Sequence, residues 1–390
     1  MNQIIDNVKI ISKDHIISDN RLMIRDGKIA AITRERLDDS DCSVIDGKGL
    51  YLSPGFIDIH DHGNSGFDAM DATMDALEAI ALFHMKHGVT GFLATTMTDS
   101  YDATMRAIEN AVEYSTMVDT PGSQMLGLYL EGPYFSVKKK GAQTEKYITG
   151  IRLDELKNYV ECGKGLVKIV ALAPELEKSK EAITFLVENG ITVSAGHSDA
   201  TYAEMMAGIE NGISEATHMF NGMRSFDHRE PGIVGACLLD DRVTCEMICD
   251  GIHLHPAAMQ IVVKMKGNEK VALISDSIRA NGIPDGVYDY IGTKVTVKNN
   301  EVRLPDGTLA GSTLNLNRAV RNLVKMTGLD LPTAVRMASL NPAKQIGLAE
   351  TKGSIEIRKD ADMILFDEDI SIKRTIIKGV TVYEEGSPKK

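Results

Sequence analysis

Hydrophobic residues in the middle of the chain fall into two alternating patterns. Short apolar runs, typical of buried strands, are separated by segments with helical spacing, such as residues 79–88 and 180–190. The runs predict eight strands: FIDIH (56–60), GFLATTMT (91–98), MLGLYLE (125–131), KIVALAPE (168–175), TVSAGH (192–197), EATHMF (215–220), TCEMICD (244–250) and VALISD (271–276). Eight strands alternating with helices over about 220 residues predict an α/β fold, a (β/α)8 TIM-like barrel. A doubly wound open sheet is the alternative, but no GxGxxG follows the first strand.

Both ends of the chain instead contain short alternating runs without helical spacing. Asp26-Gly27 is a hairpin turn signal between two such runs, and residues 354–384 continue the pattern near the C-terminus. We expect residues 1–52 and 350–390 to form one small β-sandwich domain from both termini, beside a catalytic barrel of residues 53–349. Two independent terminal hairpins are the alternative.

The third predicted strand ends in a carboxylate. Its apolar run, LGLYL (126–130), leads directly to Glu131, and Gly132-Pro133 stops the strand there. Burying an unpaired carboxylate costs roughly several kcal/mol. A positively charged partner is therefore expected at the end of this strand.

Composition narrows the function classes. The chain of 390 residues carries a formal net charge of −12 and has no basic stripe beyond Lys138–Lys140, which argues against nucleic acid as a partner. Five cysteines without a CxxC pair suit a reduced, cytoplasmic protein. The N-terminal residues lack a signal-peptide pattern, and no apolar run is long enough to span a membrane.

Six of the eight predicted strands deliver a histidine or a carboxylate near their C-terminal ends, where the active site of such a barrel lies. These residues are His60 and His62, Glu131, His197, His218, Asp250 with His253, and Asp276. Asp250 precedes a glycine, so turning the chain is its alternative role. The remaining histidines, His15, His84, His87, His228 and His255, are expected at the surface or in packing.

Histidine and carboxylate ligands around one point are what a catalytic divalent metal requires. His60 and His62, two residues apart on a strand, project from the same face and can bind one ion. A metal ion would also supply the charge that Glu131 needs. Asp276 can take a proton from a metal-activated water and return it to a leaving group; a further metal ligand is its alternative role.

Several motifs resemble the amidohydrolase superfamily, and more specifically its N-acetylglucosamine-6-phosphate deacetylase family. PGFIDIHDHG (54–63) resembles the first-strand HxH motif of the superfamily, and residues 353–367 resemble its closing segment. The motifs that resemble the deacetylase family are LEGPYF, KKGAQ (139–143), GHSDAT (196–201), THMFNGM (217–223), REPG (229–232), DGIHLHP (250–256) and LAGSTL (309–314).

This resemblance implies hydrolysis of the acetamide of N-acetyl-D-glucosamine 6-phosphate to D-glucosamine 6-phosphate and acetate. It implies that Glu131, His197 and His218 bind the principal metal and that Asp276 is the general base and then acid. The two histidines that a second metal would require, His60 and His62, are both present, and Glu131 would bridge the two ions. The implied substrate-binding residues are Ala142, Gln143, Asn221, Gly222, Arg229, His253, Ala310, Gly311 and Ser312.

By the same resemblance, Arg229 binds the phosphate of the neighbouring subunit's substrate, which implies a homodimer. The residues alone leave a surface arginine capped by Glu230 equally open. The expected cofactor is a divalent metal ion, zinc or iron foremost, with one per chain and room for a second; manganese and cobalt suit the same ligands.

Other functions remain open at this stage. The galactosamine epimer and N-acyl amino acids are alternative substrates. Cyclic amidases often bridge two metals with a modified lysine on the fourth strand. A cyclic amidase is disfavoured because the fourth predicted strand has Lys168 at its start and no lysine at its end. A non-catalytic relative would be expected to lack some of the ligands, whereas this chain keeps them all.

Overall fold

Eight parallel strands form the barrel that the sequence predicts. The computed structural model describes residues 2–35, 42–118, 120–290 and 292–387. The barrel strands are β6 (Phe56–Asp61), β9 (Val89–Thr96), β10 (Gln124–Glu131), β11 (Val167–Leu172), β12 (Thr192–Ala195), β13 (Glu215–Ala216), β14 (Thr244–Ile248) and β15 (Val271–Ile274). They pair in chain order from β6 to β15. The predicted fold class is confirmed.

The helices follow the strands and cover the barrel. Both segments with helical spacing, residues 79–88 and 180–190, fall mainly on helices. The helices are α1 (Met74–Lys86), α2 (Tyr101–Ser115), α3 (Leu153–Cys162), α4 (Ser179–Glu188), α5 (Tyr202–Asn211), α6 (Gly232–Leu239), α7 (Pro256–Lys266), α8 (Leu316–Thr327), α9 (Leu331–Ala338) and α10 (Leu340–Gln345). Within the described ranges, no helix has the length and apolar character that a membrane span requires.

The first and last barrel strands meet through their ends. The backbone N–H of Asp276 donates to the carbonyl oxygen of His60 over 2.9 Å, and Ser277 pairs with Asp61 in parallel. All residues of β6, β9 and β15 are buried, as expected for parallel strands covered on both faces. Closure of the barrel therefore places His60 beside Asp276.

Strands from both ends of the chain form one continuous eight-stranded sheet. Its members are β1 (Gln3–Ile11), β2 (Ile16–Arg25), β3 (Lys28–Thr33), β4 (Ser43–Asp46), β5 (Tyr51–Pro54), β19 (Met363–Phe366), β20 (Ile372–Ile377) and β21 (Val380–Glu384). Asp26 and Gly27 have φ of +49° and +74° and join β2 to β3, which confirms the predicted turn. β5, paired with β19, spans the expected boundary at residue 52. The domain boundaries stay a prediction.

A small antiparallel sheet after β15 was not predicted. It consists of β16 (Gly286–Tyr290), β17 (Thr293–Lys298) and β18 (Glu301–Arg303), and Asn299 and Asn300, both with positive φ, form its tight turn. Its buried side chains, including Tyr290, pack with Met97 and Ile278 above the barrel. A shorter ribbon, β7 (Gly63–Asn64) with β8 (Phe67–Asp68), follows β6.

Candidate metal centre

Three of the predicted ligands converge on one point at the C-terminal end of the barrel. Glu131 Oε1 lies 3.2 Å from His197 Nε2 and 3.1 Å from His218 Nε2, and the two Nε2 atoms are 3.1 Å apart. All three residues are buried. The structure thus brings together residues that are up to 87 positions apart in the chain.

In His197 and His218, the hydrogen bond made by Nδ1 determines that Nε2 faces Glu131. His197 Nδ1 lies 2.9 Å from the carbonyl oxygen of Lys139, and His218 Nδ1 lies 3.1 Å from that of Asn221. Because a carbonyl oxygen only accepts, each Nδ1 carries a proton. Both Nε2 lone pairs therefore point at the same place as the Glu131 carboxylate, which is the arrangement a cation stabilises.

A second group of ligands adjoins the first. Asp276 Oδ1 lies 3.4 Å from His62 Nε2 and 3.7 Å from His60 Nε2. Glu131 lies between the groups, with Oε1 3.7 Å from His60 Nε2 and Oε2 3.4 Å from His62 Nε2. Each of the two groups, His60, His62 and Asp276 on one side and Glu131, His197 and His218 on the other, has the donor set and spacing of a metal site.

The electrostatics of these groups also fit a cation. Burial disfavours the charged form of His60, yet Glu246, Glu131 and Asp276 outweigh it and raise its pKa to about 10. Burial opposes ionisation of Glu131, but the adjacent imidazole rings of His197 and His218 and the charge of His60 hold its pKa well below the ordinary value. The centre therefore requires positive charge, and His60 Nε2 is buried with no hydrogen-bond partner among the described residues.

Strained backbone positions three of these side chains. His197, His218 and Asp276, each two residues beyond the end of its strand, have φ of +45°, +30° and +48°. Non-glycine residues rarely adopt this left-handed conformation, and such strain clusters at functional sites. In each case the strained residue follows the strand end and belongs to one of the two ligand groups.

A cavity of about 200 Å³ opens over the two ligand groups. Of the predicted residues, its lining includes His62, Glu131, Ala142, Gln143, His197, His218, Asn221, Gly222, His253, Asp276 and Gly311. His60 lies buried beneath it. Ala310 is buried against the small sheet, and the Ser312 hydroxyl donates to the carbonyl oxygen of Ser275.

The cavity also has lining residues that the sequence analysis missed, namely Met97, Gly141, Tyr290, Thr308 and Leu309. Tyr290 is on β16, and Thr308 and Leu309 follow β18. The Asn299-Asn300 pair between alternating runs was a hairpin signal that could have predicted this sheet. Nothing in the sequence shows that the sheet folds over the metal centre.

Asp250 and His253 form one unit. Asp250 Oδ1 accepts the backbone N–H groups of Ile252 and His253, and Oδ2 lies 2.6 Å from His253 Nδ1. Asp250 therefore both turns the chain and fixes the ring of His253. His253 in turn faces the cavity.

Arg229 lies outside the cavity of its own chain. It is exposed, and the described residues offer its guanidinium no hydrogen bond or ion pair. Glu230 does not cap it: Glu230 Oε1 accepts the backbone N–H groups of Tyr202 and Gly232 instead. Arg224, by contrast, is held by Asp199 through Nε and Nη2.

The remaining histidines lie outside both ligand groups, and His84 belongs to a third buried cluster with Asp58 and Asp61. His84 is buried, and its Nε2 pairs with Asp61 Oδ2 over 2.9 Å behind the first barrel strand. His255 caps α7, whereas His15 and His228 are exposed. Lys168 donates to the carbonyl oxygen of Gly165 at the start of β11, far from the metal centre.

A parallel barrel whose rim gathers two adjoining groups of histidines and carboxylates defines the class of metal-dependent barrel hydrolases. The family sequence model of the amidohydrolase family matches residues 51–382 of this chain. The chain belongs to the amidohydrolase family.

Individual relatives match nearly the whole chain. It is 38% identical over 379 residues to the N-acetylglucosamine-6-phosphate deacetylase of Bacillus subtilis (strain 168), covering 96% of each protein. It is 37% identical over 371 residues to the N-acetylgalactosamine-6-phosphate deacetylase of Escherichia coli O157:H7, covering 95% of this chain and 97% of that protein. The crystal structure of N-acetylglucosamine-6-phosphate deacetylase from Pasteurella multocida superposes with a TM-score of 0.93 at 32% identity, covering 98% and 99%.

Proposed function

We propose that this protein hydrolyses the acetamide of N-acetyl-D-glucosamine 6-phosphate, releasing acetate and D-glucosamine 6-phosphate in amino-sugar metabolism. The observation that supports this most strongly is the convergence of Glu131, His197 and His218 beside Asp276 under one cavity. The similarity to deacetylases of phosphorylated amino sugars over nearly the whole chain points to the substrate class.

An amide is a poor electrophile, and water is a poor nucleophile at neutral pH. Glu131, His197 and His218 would hold a divalent cation, which would supply Lewis-acid polarisation of the carbonyl and a lowered pKa of water. In the proposed reaction, Asp276 accepts the proton of the attacking water and passes it to the leaving nitrogen. Burial opposes ionisation of Asp276, but His62 and His60 lower its pKa, so the carboxylate form needed to accept a proton prevails.

The remaining lining residues would bind the substrate. His253, held by Asp250, would contact the sugar and help polarise the acetamide carbonyl. Asn221 and Gly222 would lie near the phosphate, and Ala142, Gln143 and the backbone of residues 310–312 would complete the pocket. Binding energy from the remote phosphate would hold the amide in place.

The identity and number of the metals belong to this proposal. Zinc or iron suits the His/Glu set best, with one ion at Glu131, His197 and His218. His60, His62 and Asp276 would hold a second ion, and Glu131 would then bridge the two.

The phosphate site is proposed to lie between two chains. Arg229 is exposed and does not line the cavity of its own chain, and its planar charged group suits a phosphate. A homodimer in which Arg229 reaches the neighbouring active site would use it. A cytoplasmic location also stays a prediction; the five cysteines are all free thiols.

A second candidate substrate is N-acetylgalactosamine 6-phosphate. The relative from Escherichia coli O157:H7 is named for that epimer and is almost as similar to this chain as the Bacillus subtilis protein. Both substrates have the same acetamide and phosphate, so the metal centre alone does not separate them.

The decisive test combines acetate release with metal content per chain, on protein purified without chelator or metal-affinity steps. The proposal predicts a higher kcat/KM for the glucosamine substrate than for its galactosamine epimer or for the unphosphorylated sugar. About two metals per chain would place His60 and His62 in the centre, and about one would leave Glu131, His197 and His218 as the working site. Metal without acetate release from either epimer would overturn the proposed function.

A further inference from the structure

A buried carboxylate beneath the metal centre touches both ligand groups. Glu246, on β14, is fully buried, and its Oε2 lies 2.9 Å from His60 Nδ1. The same oxygen accepts the backbone N–H of His218 over 2.9 Å. His60 belongs to one ligand group and His218 to the other.

This geometry constrains both histidines. Because Nδ1 of His60 donates to the Glu246 carboxylate, Nε2 is left to face Glu131 and Asp276. His218 has φ of +30°, a strained conformation, and the bond from its N–H to Glu246 holds the backbone there. Glu246 Oε2 thus fixes the ring of His60 in one ligand group and the backbone of His218 in the other.

We propose that Glu246 is a positioning residue for the metal centre, orienting His60 through Nδ1 and holding the turn that carries His218. Glu246 is in neither ligand group and does not line the cavity, so it acts through these two ligands. A carboxylate bonded to a ligating histidine fixes the ring and increases its basicity, which strengthens metal binding. The inference rests on the metal centre of the proposed function but not on the identity of the sugar.

The neighbouring Glu215 is the natural control. It lies on β13, is also fully buried, and the described residues provide neither of its oxygens with a hydrogen-bond donor. Burial and the nearby Glu246 carboxylate raise the pKa of Glu215 well above its ordinary value, which favours its neutral form. Glutamine resembles a neutral acid in shape and charge, so Glu215→Gln should change little.

The experiment measures Zn²⁺ affinity of the full-length chain by competition with a chelator, with no sugar present. Glu246→Gln removes the charge but keeps an acceptor, and we expect it to weaken Zn²⁺ binding roughly 10- to 100-fold. Glu246→Leu should weaken binding further, and Glu215→Gln should match the wild type. Equal Zn²⁺ affinity of Glu246→Gln and wild type would overturn the inference, whatever Glu246→Leu does to folding.

A double-mutant cycle separates positioning from general support of the core. In a His60→Ala background, Glu246→Gln should have a clearly smaller effect on Zn²⁺ affinity, because one of its two partners is gone. An undiminished effect would contradict the assigned contact with His60. A protein that binds Zn²⁺ as described yet releases no acetate would refute the proposed function and leave this inference intact.

Discussion

The side-chain amide of Gln143 donates a hydrogen bond to Glu131 Oε2 over 2.5 Å, and its carbonyl oxygen accepts the backbone N–H of Thr98 over 3.0 Å. Gln143 is buried, in the loop that follows β10. Its amide thus connects this loop to the carboxylate between the two ligand groups. The family resemblance implied a contact with substrate only, and the structure adds this contact with Glu131.

Replacing Gln143 with leucine should therefore impair the centre as well as the pocket. A hydrogen bond to a charged group contributes about 1.5–3 kcal/mol, so we expect kcat/KM to fall roughly 10- to 100-fold. Steady-state kinetics would measure this. Gln124→Leu, at the start of β10 and so at the opposite end of that strand from Glu131, serves as the control and should leave kcat/KM near the wild-type value.

Asp276→Asn should keep the metal at Glu131, His197 and His218 but lose turnover. Asparagine keeps the shape of the side chain and cannot accept the proton, so we expect kcat to fall roughly 10²- to 10⁴-fold. Elemental analysis of the same preparation reports whether the ion is retained. Turnover close to wild type would rule out the proton-transfer role.

Arg229→Ala should raise the KM for the phosphorylated substrate strongly and leave the unphosphorylated sugar unaffected, because only the phosphate requires the guanidinium. Arg242→Ala is a matched control, since Arg242 is also a surface arginine but pairs with Asp240 and Glu210. If both variants handled the phosphorylated substrate alike, Arg229 would not be its ligand.

Gly222→Ala should damage the centre through His197. A Cβ at Gly222 would lie 2.9 Å from His197 Nδ1 and 3.2 Å from the carbonyl oxygen of Lys139, pressed against both partners of a hydrogen bond. Gly190→Ala provides the comparison: both glycines have positive φ, which costs alanine about 1–2 kcal/mol, but nothing lies within 4 Å of a Cβ at Gly190.

Both glycine variants should lose thermal stability, measured by calorimetry in the absence of metal, and Gly222→Ala should lose more because its Cβ also clashes with His197. Only Gly222→Ala should also bind Zn²⁺ more weakly. Equal Zn²⁺ affinity in the two variants would show that a Cβ at Gly222 does not disturb His197.

Removing the metal should abolish activity without unfolding the chain. The hydrophobic core surrounds the barrel strands and does not depend on the ligand groups, and protonated His60 replaces part of the missing positive charge. Dialysis against a chelator should leave the circular dichroism spectrum unchanged, and added Zn²⁺ should restore acetate release. Full activity after chelation would contradict a metal-dependent reaction.

Much of the fold followed from local patterns. The run before Glu131 and the other short apolar runs alternate with segments that have helical spacing, so the barrel was predictable. Parallel strands present their C-terminal ends at one rim, which is why residues as distant as His60 and Asp276 could be assigned to a common site. The terminal strands were predictable as well, because Asp26-Gly27 and the alternating runs are local signals.

The sequence by itself thus determined the barrel and the residue types at its rim, because strand periodicity and turn signals depend on neighbouring residues. Only the tertiary structure decided that Glu246 holds His60, that Gln143 reaches Glu131 and that Tyr290 lines the cavity. Those contacts depend on strand register, barrel closure and the direction of side chains that are distant in the chain. A one-dimensional pattern contains none of these distances, so the partners that orient the ligands could be identified only in three dimensions.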